Sequence, residues 1–178
     1  EQLLQKYNPS VLLAVERPGW NSRHEYHNMR GLNISSIVGK TDYLFMLGQK
    51  QGALTVGVGD GGNELGCGLI QQAVHEYVPY GAKCQCPCKG GIAAATPADA
   101  LIVSGVSNWG AYGLAACLSL LKGSEYNHNS QRELQLLNRV VKAGAIDSIS
   151  KERRPFVDGL SPDVNGLVVD LISTITNA

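Results

Sequence analysis

The chain is poor in aromatic side chains and has no net charge, and both features limit what it can bind. Aromatic residues make up 6% of its 178 residues, and 15 Lys and Arg balance 15 Asp and Glu. Proteins that bind nucleic acid or an acidic membrane surface commonly concentrate positive charge on one face. We therefore expect no nucleic-acid partner and no membrane partner. No apolar run approaches the ~20 residues that a membrane-spanning helix needs.

Signals for protein targeting are also missing. The chain opens on a helical pattern over residues 1–7, with no initiator Met and no signal or transit peptide. We expect a piece of a longer protein, so that the location has to come from other evidence. A hydrophobic content of 44% with 17% charged residues is that of an ordinary globular protein. A length of 178 residues suits one domain, residues 1–178.

The five cysteines are too few and too irregularly spaced for a disulfide-stabilised secreted domain. They favour a reducing compartment. Three of them, Cys84, Cys86 and Cys88, form a C-x-C-x-C run that can bind a soft metal. Tetrahedral zinc sites usually combine two C-x-x-C pairs, however, and a second pair is missing. We expect these cysteines to lie in a mobile loop without a metal, and the four histidines, which lack metal-ligand spacing, to occupy loop or surface positions.

Apolar runs alternate with helical patterns along the chain. Continuous apolar runs typical of strands covered on both faces occupy residues 11–15, 53–58 and 101–106. Helical patterns occupy residues 1–7, 41–50, 64–78, 111–121, 131–143 and 162–175. The helix over 111–121 is so apolar that we expect it to be largely covered. Strands separated by helices predict an α/β fold with three layers, a mostly parallel sheet with helices on both faces, as in Rossmann-like proteins.

A glycine-rich cluster at 57–66 follows the second predicted strand and contains two acids and an amide, Asp60, Asn63 and Glu64. Glycine allows a ligand to approach the main chain closely, and the N–H groups near Gly61 and Gly62 favour anions. A functional site is one interpretation. The other is a structural turn in which Asp60 or Asn63 caps the next helix. A P-loop is excluded, because no Gly-Lys-Ser/Thr follows.

Polar residues follow all three predicted strands. Glu16 and Arg17 follow the first, the glycine-rich cluster follows the second, and Ser107 and Asn108 follow the third. Parallel strands end at the same edge of a sheet, where open α/β proteins bind their ligands. We therefore expect these groups to line one pocket.

Two of these groups have an alternative structural role. Glu16, half buried at a strand end, suits a general base, but an ion pair with Arg17 or Arg30 explains it equally well. The polar loop over 16–36 contains Asn28 and Arg30, and an arginine can hold a carboxylate with two hydrogen bonds. This loop suits a lid over the pocket or an ordinary solvated surface.

Five motifs, in this order along the chain, resemble the carboxy-terminal domain of the D-glutamate cyclase family. They are ERPG at 16–19, NMRGLNIS at 28–35, GVGDGGNELG at 57–66, GVSNWGAY at 105–112 and VDGL at 157–160. The resemblance implies a carbon–oxygen hydro-lyase that converts D-glutamate to 5-oxo-D-proline and water. It implies a mitochondrial matrix location, as in vertebrates. The family domain usually begins upstream with another strand, so the resemblance also implies a fragment that lacks one or more strands.

The implied reaction assigns roles to the polar residues. Catalytic acids and bases are expected among Glu16, Asp60 and Glu64. The residues expected to bind substrate are Arg17, Asn28, Arg30, Gly61, Gly62, Asn63, Ser107 and Asn108. No organic cofactor is expected, and Mg²⁺ or Mn²⁺ at the carboxylates is a second choice. The alternative function is a regulatory domain that binds a nucleotide, a phosphate or an amino acid without catalysis. Two acids beside the glycines disfavour phosphate.

Overall fold

The computed structural model describes residues 1–178. In chain order its helices and strands are α1 (Gln2–Tyr7), β1 (Val11–Val15), α2 (Asp42–Lys50), β2 (Leu54–Gly59), α3 (Gln71–Tyr77), β3 (Ala100–Val103), α4 (Ser107–Leu121), α5 (Ser130–Lys142) and α6 (Pro162–Thr176). None of the helices combines the length and the apolar character that crossing a membrane requires. The chain divides into two compact units, 1–107 and 108–178. The expectation of one domain over 1–178 stays a prediction.

The first unit is built on a parallel sheet in the order β1-β2-β3. Val15 of β1 lies opposite Val58 of β2, and Gly59 of β2 lies opposite Val103 of β3. The carboxyl ends of the strands therefore coincide at one edge. The prediction of an α/β fold with a parallel, Rossmann-like sheet is confirmed.

One face of the sheet carries the core of the first unit. Ala14 of β1 packs with Phe45 of α2, and Leu65 and Ala98 complete the cluster. Strand side chains alternate between faces, so Leu13, the neighbour of Ala14, points away and is 49% exposed. The expectation that the strand over 11–15 is covered on both faces is therefore wrong for this chain.

Two predicted boundaries move in the structure. The helix expected over 64–78 begins only at Gln71, after a short 3₁₀ turn. The chain first folds back at Gly66, whose φ of 100° suits glycine, and this places Leu65 in the core. The third strand ends at Val103 and α4 begins earlier than expected, at Ser107.

The second unit is helical. Glu133 of α5 is buried and accepts hydrogen bonds from Tyr112 Oη at 2.8 Å and from His128 Nε2 at 2.9 Å. The start of α5 contacts α6, where Ser130 N donates to Asp170 Oδ1 at 2.8 Å. The prediction that the apolar helix over 111–121 is largely covered is wrong, because Leu121 is 84% exposed. Apolar composition makes burial favourable but does not supply a surface to pack against.

Candidate active site

The strand ends bring three carboxylates together. Glu16 follows β1, Asp60 follows β2, and Glu64 lies on the turn after Asp60. One oxygen of each lies within 4.8 Å of the others. Glu16 N donates to Val58 O at 3.0 Å, which continues the pairing of β1 with β2 up to the site. The position of these residues at parallel strand ends predicted this convergence, and their catalytic roles stay predictions.

The hydroxyl of Ser107 joins two of the acids. Ser107 Oγ lies 2.9 Å from Asp60 Oδ2 and also contacts Glu16 Oε2, while Ser107 N donates to Asp60 Oδ2 at 2.8 Å. A hydroxyl has one hydrogen and donates to one carboxylate at a time. Ser107 therefore brings two acidic side chains to one point, where a shared proton or a bound cation would relieve the repulsion between two carboxylates.

Glu64 has a different environment from the other two acids. It is buried, and its carboxylate accepts hydrogen bonds from Gly61 N at 2.8 Å and Gly62 N at 2.7 Å. The N–H groups expected to bind an oxyanion are thus already paired with Glu64. Cys67 Sγ lies 3.4 Å from the same carboxylate, and burial together with Glu64 raises the pKa of the thiol to about 12. Glu64 therefore fixes the shape of the glycine turn.

Two of the three asparagines of the predicted site, Asn28 and Asn63, hold loops in place. Asn63 is nearly buried, and its Nδ2 donates to His27 O at 2.8 Å. Asn28 Oδ1 accepts from Arg30 N at 3.0 Å and from Leu32 N at 3.1 Å, which forms a tight turn. Nδ2 of Asn63 and Oδ1 of Asn28 are therefore both hydrogen-bonded to the backbone of the protein itself.

The two arginines of the predicted site, Arg17 and Arg30, are exposed. Arg17 O accepts from Leu65 N at 2.7 Å, so its backbone is fixed against the glycine turn. Arg30 O accepts from Gln85 Nε2 at 2.8 Å. The backbone of both arginines is therefore held by hydrogen bonds to other segments. The binding of a carboxylate by their guanidinium groups stays a prediction.

Asn108 belongs to the second unit. Its Nδ2 lies 3.4 Å from Tyr112 Oη, and it lines a cavity of about 260 Å³ together with Asp147, Arg154 and Asp158. Its membership of one pocket with Glu16 stays a prediction.

A cavity of about 180 Å³ in the first unit lies against the glycine turn. Asp60 and Cys67 contribute to its wall, and the rest is mainly apolar, with Val74 and Val103 among the lining residues. A carboxylate at the wall of an apolar cavity is partly shielded from water, which strengthens its interaction with a bound cationic group. The sequence did not predict this cavity, since α3 supplies much of its wall from a distance along the chain.

Sequence reasoning missed His27. The residue is 1% exposed, and its Nε2 lies 3.2 Å from Cys86 Sγ. The expectation of a loop position is confirmed, but the side chain is buried within the protein and does not lie at its surface. The C-x-C-x-C run was visible in the sequence, but 59 residues separate His27 from Cys86, so only the fold brings them together.

Comparison with known proteins shows the family of the chain. Residues 2–173 match the family model described as D-glutamate cyclase-like, C-terminal. A curated relative, the mitochondrial D-glutamate cyclase of Homo sapiens, is 40% identical over 111 residues, which cover 62% of this chain. The chain matches only 17% of the length of that human protein. Because the family model spans nearly the whole chain, the chain belongs to the D-glutamate cyclase-like, C-terminal family.

Proposed function

We propose that the protein containing this chain is a carbon–oxygen lyase that converts D-glutamate to 5-oxo-D-proline and water. The observation that carries the proposal is the meeting of the Glu16 and Asp60 carboxyl groups at the Ser107 hydroxyl. The name of the human relative supports the same activity. By the same relative, we propose a mitochondrial location.

The reaction needs a base and an acid in one place. The α-ammonium of the substrate loses a proton, and the neutral amine then attacks the γ-carboxyl carbon. An N–C bond forms, and the nitrogen of the tetrahedral intermediate loses a second proton. The departing oxygen takes up two protons, equal in number to the two that the nitrogen lost, and leaves as water when its C–O bond breaks. Two carboxyl groups that share one proton supply both functions, because the ionised one accepts the amine proton and the protonated one donates to the leaving oxygen. We assign these two roles to Glu16 and Asp60.

The same carboxylates suit the substrate before the reaction starts. A substrate ammonium group carries positive charge and three hydrogens, which match the carboxylate oxygens of Glu16 and Asp60. At the other end, the α-carboxylate needs a cation. Arg30 is our choice and Arg17 is the alternative, since a guanidinium can bind a carboxylate with two parallel hydrogen bonds.

No redox or carbon–carbon step occurs, so the reaction calls for no organic cofactor. The carboxylates of Glu16, Asp60 and Glu64 are close enough to hold Mg²⁺ or Mn²⁺, which is the alternative to a shared proton. Chelation followed by addition of Mg²⁺, Mn²⁺ or no metal separates the two. An unchanged rate without added metal favours the shared proton.

The test measures 5-oxo-D-proline formed from D-glutamate by the protein and by its Glu16→Gln and Asp60→Asn variants. We expect kcat to fall about a hundredfold or more in each, the usual cost of losing a catalytic acid or base. Arg30→Ala should mainly raise KM, because a grip on the α-carboxylate is equally strong before and during the reaction.

Glu76→Gln is the matched control, since Glu76 is an exposed carboxylate of α3 in the same unit. It should leave kcat unchanged. Near-normal kcat in folded Glu16→Gln and Asp60→Asn would contradict the proposal, and the pocket would then bind a ligand without performing the chemistry. Thermal shifts with D-glutamate, 5-oxo-D-proline and ATP identify that ligand class.

A further inference from the structure

We propose that His27, Cys84, Cys86 and Cys88 bind one Zn²⁺ ion. The proposal is independent of the cyclase reaction, because it concerns a separate cluster of side chains. All four offer a nitrogen or sulfur ligand atom, and these atoms lie within 4.8 Å of one another. Sulfur and imidazole nitrogen are the ligands of structural zinc sites, which commonly contain three Cys and one His.

Five of the six distances between ligand atoms are close to the edges of a tetrahedron around zinc, and the sixth, from His27 Nε2 to Cys84 Sγ, is within 4.8 Å. The three Sγ atoms form a triangle with sides of 3.4 Å. Nε2 of His27 lies 3.2 Å from Cys86 Sγ and 3.6 Å from Cys88 Sγ. Zinc with ordinary bond lengths requires edges of about 3.8 Å between sulfurs and about 3.6 Å between sulfur and nitrogen. An ion at the centre of a tetrahedron with edges of about 3.4 Å lies about 2.1 Å from each corner. Zinc bonds to sulfur are about 2.3 Å long and zinc bonds to imidazole nitrogen about 2.0–2.1 Å, so this distance is close to both.

The same distances exclude a disulfide in this state. A disulfide needs about 2.05 Å between its sulfurs, and all five cysteines are free. Three thiol groups in mutual contact bring three weakly polar, ionisable atoms to one point. A cation at that point stabilises all three as thiolates.

The histidine is oriented as a metal ligand. Nδ1 of His27 lies 3.2 Å from Glu25 O, so the N–H of that nitrogen donates to the carbonyl. The proton then resides on Nδ1, and Nε2 points its lone pair at the cysteines. Ligating histidines in proteins are held by this kind of contact.

One of the cysteines also receives N–H donors from the protein. Gly90 N lies 3.4 Å and Asn21 Nδ2 3.6 Å from Cys88 Sγ. Asn21 is fully buried, and its Nδ2 also donates to Gly91 O at 2.7 Å, which fixes its position. These contacts hold Cys88 Sγ in position beside the other two sulfurs.

A zinc ion here would fasten two loops to each other. Cys84, Cys86 and Cys88 lie on the loop between α3 and β3, and His27 lies on the loop after β1. The second loop continues into Arg30, and Gln85 N donates to Gly31 O at 2.9 Å beside the cluster. Metal binding should therefore stabilise the loop that carries Arg30.

The test measures zinc directly. The protein, produced without a polyhistidine tag and purified without chelator, is analysed for zinc, iron and copper by mass spectrometry. We expect about one equivalent of zinc per chain, as in a closed four-ligand site. Cobalt added to the chelator-treated protein should give the visible absorption of a tetrahedral ion and a near-ultraviolet band from sulfur ligands.

Cys86→Ser and His27→Gln should lose the zinc and the rise in Tm that added zinc gives the stripped protein. Cys117→Ser and His75→Gln are matched controls, because both residues are exposed and lie outside the cluster, and they should keep one equivalent. The cobalt spectrum of the unaltered protein decides the question even if the ligand variants fail to fold. Absence of zinc together with absence of the sulfur–cobalt band would overturn the proposal, and so would stoichiometric iron or copper in place of zinc.

Discussion

Glu16 adopts a left-handed backbone conformation, with φ at 51°. This conformation costs a residue other than glycine roughly 1–2 kcal/mol. Two hydrogen bonds surround the residue and impose the bend: Glu16 N donates to Val58 O, and Arg17 O accepts from Leu65 N. The bend aims the carboxylate at Ser107 instead of along the strand. Strain of this kind concentrates at functional sites, where the surrounding structure maintains it.

Two substitutions of Glu16 separate the effect of backbone strain on stability from the effect of losing the negative charge. Glu16→Ala and Glu16→Gly both remove the carboxylate, but only glycine adopts a positive φ without strain. We expect the free energy of unfolding of the glycine variant to be about 0.5–1 kcal/mol higher than that of the alanine variant. This difference already allows for the greater entropy of glycine in the unfolded chain. Urea unfolding measures the difference. An alanine variant as stable as the glycine variant would show that the bend is not strained.

Asp99 connects two strands of the sheet. It immediately precedes β3, and its Oδ2 accepts from Thr55 N and Thr55 Oγ1 of β2, both at 2.8 Å. A further hydrogen bond from Gln49 Nε2 at 2.7 Å links it to α2. The backbone hydrogen bond from Thr55, followed by the side-chain bonds, lowers the pKa of Asp99 below its usual 3.8. One exposed carboxylate therefore helps to set where β3 begins against β2.

This lowered pKa makes a prediction about stability and pH. The folded state holds the ionised form of Asp99 more strongly than the unfolded state does, so the contribution is complete above the unfolded pKa and disappears as the pH falls through the lower folded value. We expect Asp99→Asn to be less stable than the parent chain at pH 7 and 5, with the difference shrinking below about pH 4. Urea midpoints across this range measure it. Glu76→Gln, at an exposed helical carboxylate, should show no such dependence, and a constant difference for Asp99→Asn would contradict the prediction.

Asp42 connects distant segments of the first unit through hydrogen bonds. This residue begins α2 and is fully buried. It accepts hydrogen bonds from Tyr26 Oη at 2.5 Å, Thr96 Oγ1 at 2.6 Å and Trp20 N at 3.1 Å. Trp20 and Tyr26 lie on the loop that also carries His27, and Thr96 lies on the loop that precedes β3. A single carboxylate therefore fixes the relative position of segments that are far apart in sequence.

Asp42→Ala should destabilise the protein by about 3 kcal/mol or more, because it leaves buried donors without an acceptor. Tyr26→Phe removes one of the three hydrogen bonds and keeps the ring, so we expect a smaller loss of about 1–2 kcal/mol. Thermal or urea unfolding followed by circular dichroism gives both values. A cost for Asp42→Ala no larger than that for Tyr26→Phe would contradict the role of Asp42 as the common acceptor.

Local pattern in the sequence determined the class of fold and the approximate site. Three apolar runs separated by amphipathic segments predict parallel strands, because chain connections between adjacent parallel strands need a helix. Polar residues directly after each run then place Glu16, Asp60 and Ser107 at one edge, as the structure has them. Such inferences depend only on neighbours in the chain and on the fixed geometry of strands.

Contacts between distant segments were decided by tertiary structure alone. The N–H groups of Gly61 and Gly62, which the sequence predicted to bind substrate, donate to the carboxylate of Glu64. His27 contacts Cys86 only because two loops meet in the folded protein. The two residues are 59 positions apart, and a motif based on the spacing of residues along the chain does not detect a pair so far apart. Exposure of Leu121 likewise reflects which surfaces the fold makes available, not how apolar the helix is. Sequence periodicity encodes which face of an element prefers burial, whereas packing partners are chosen only when the whole chain folds.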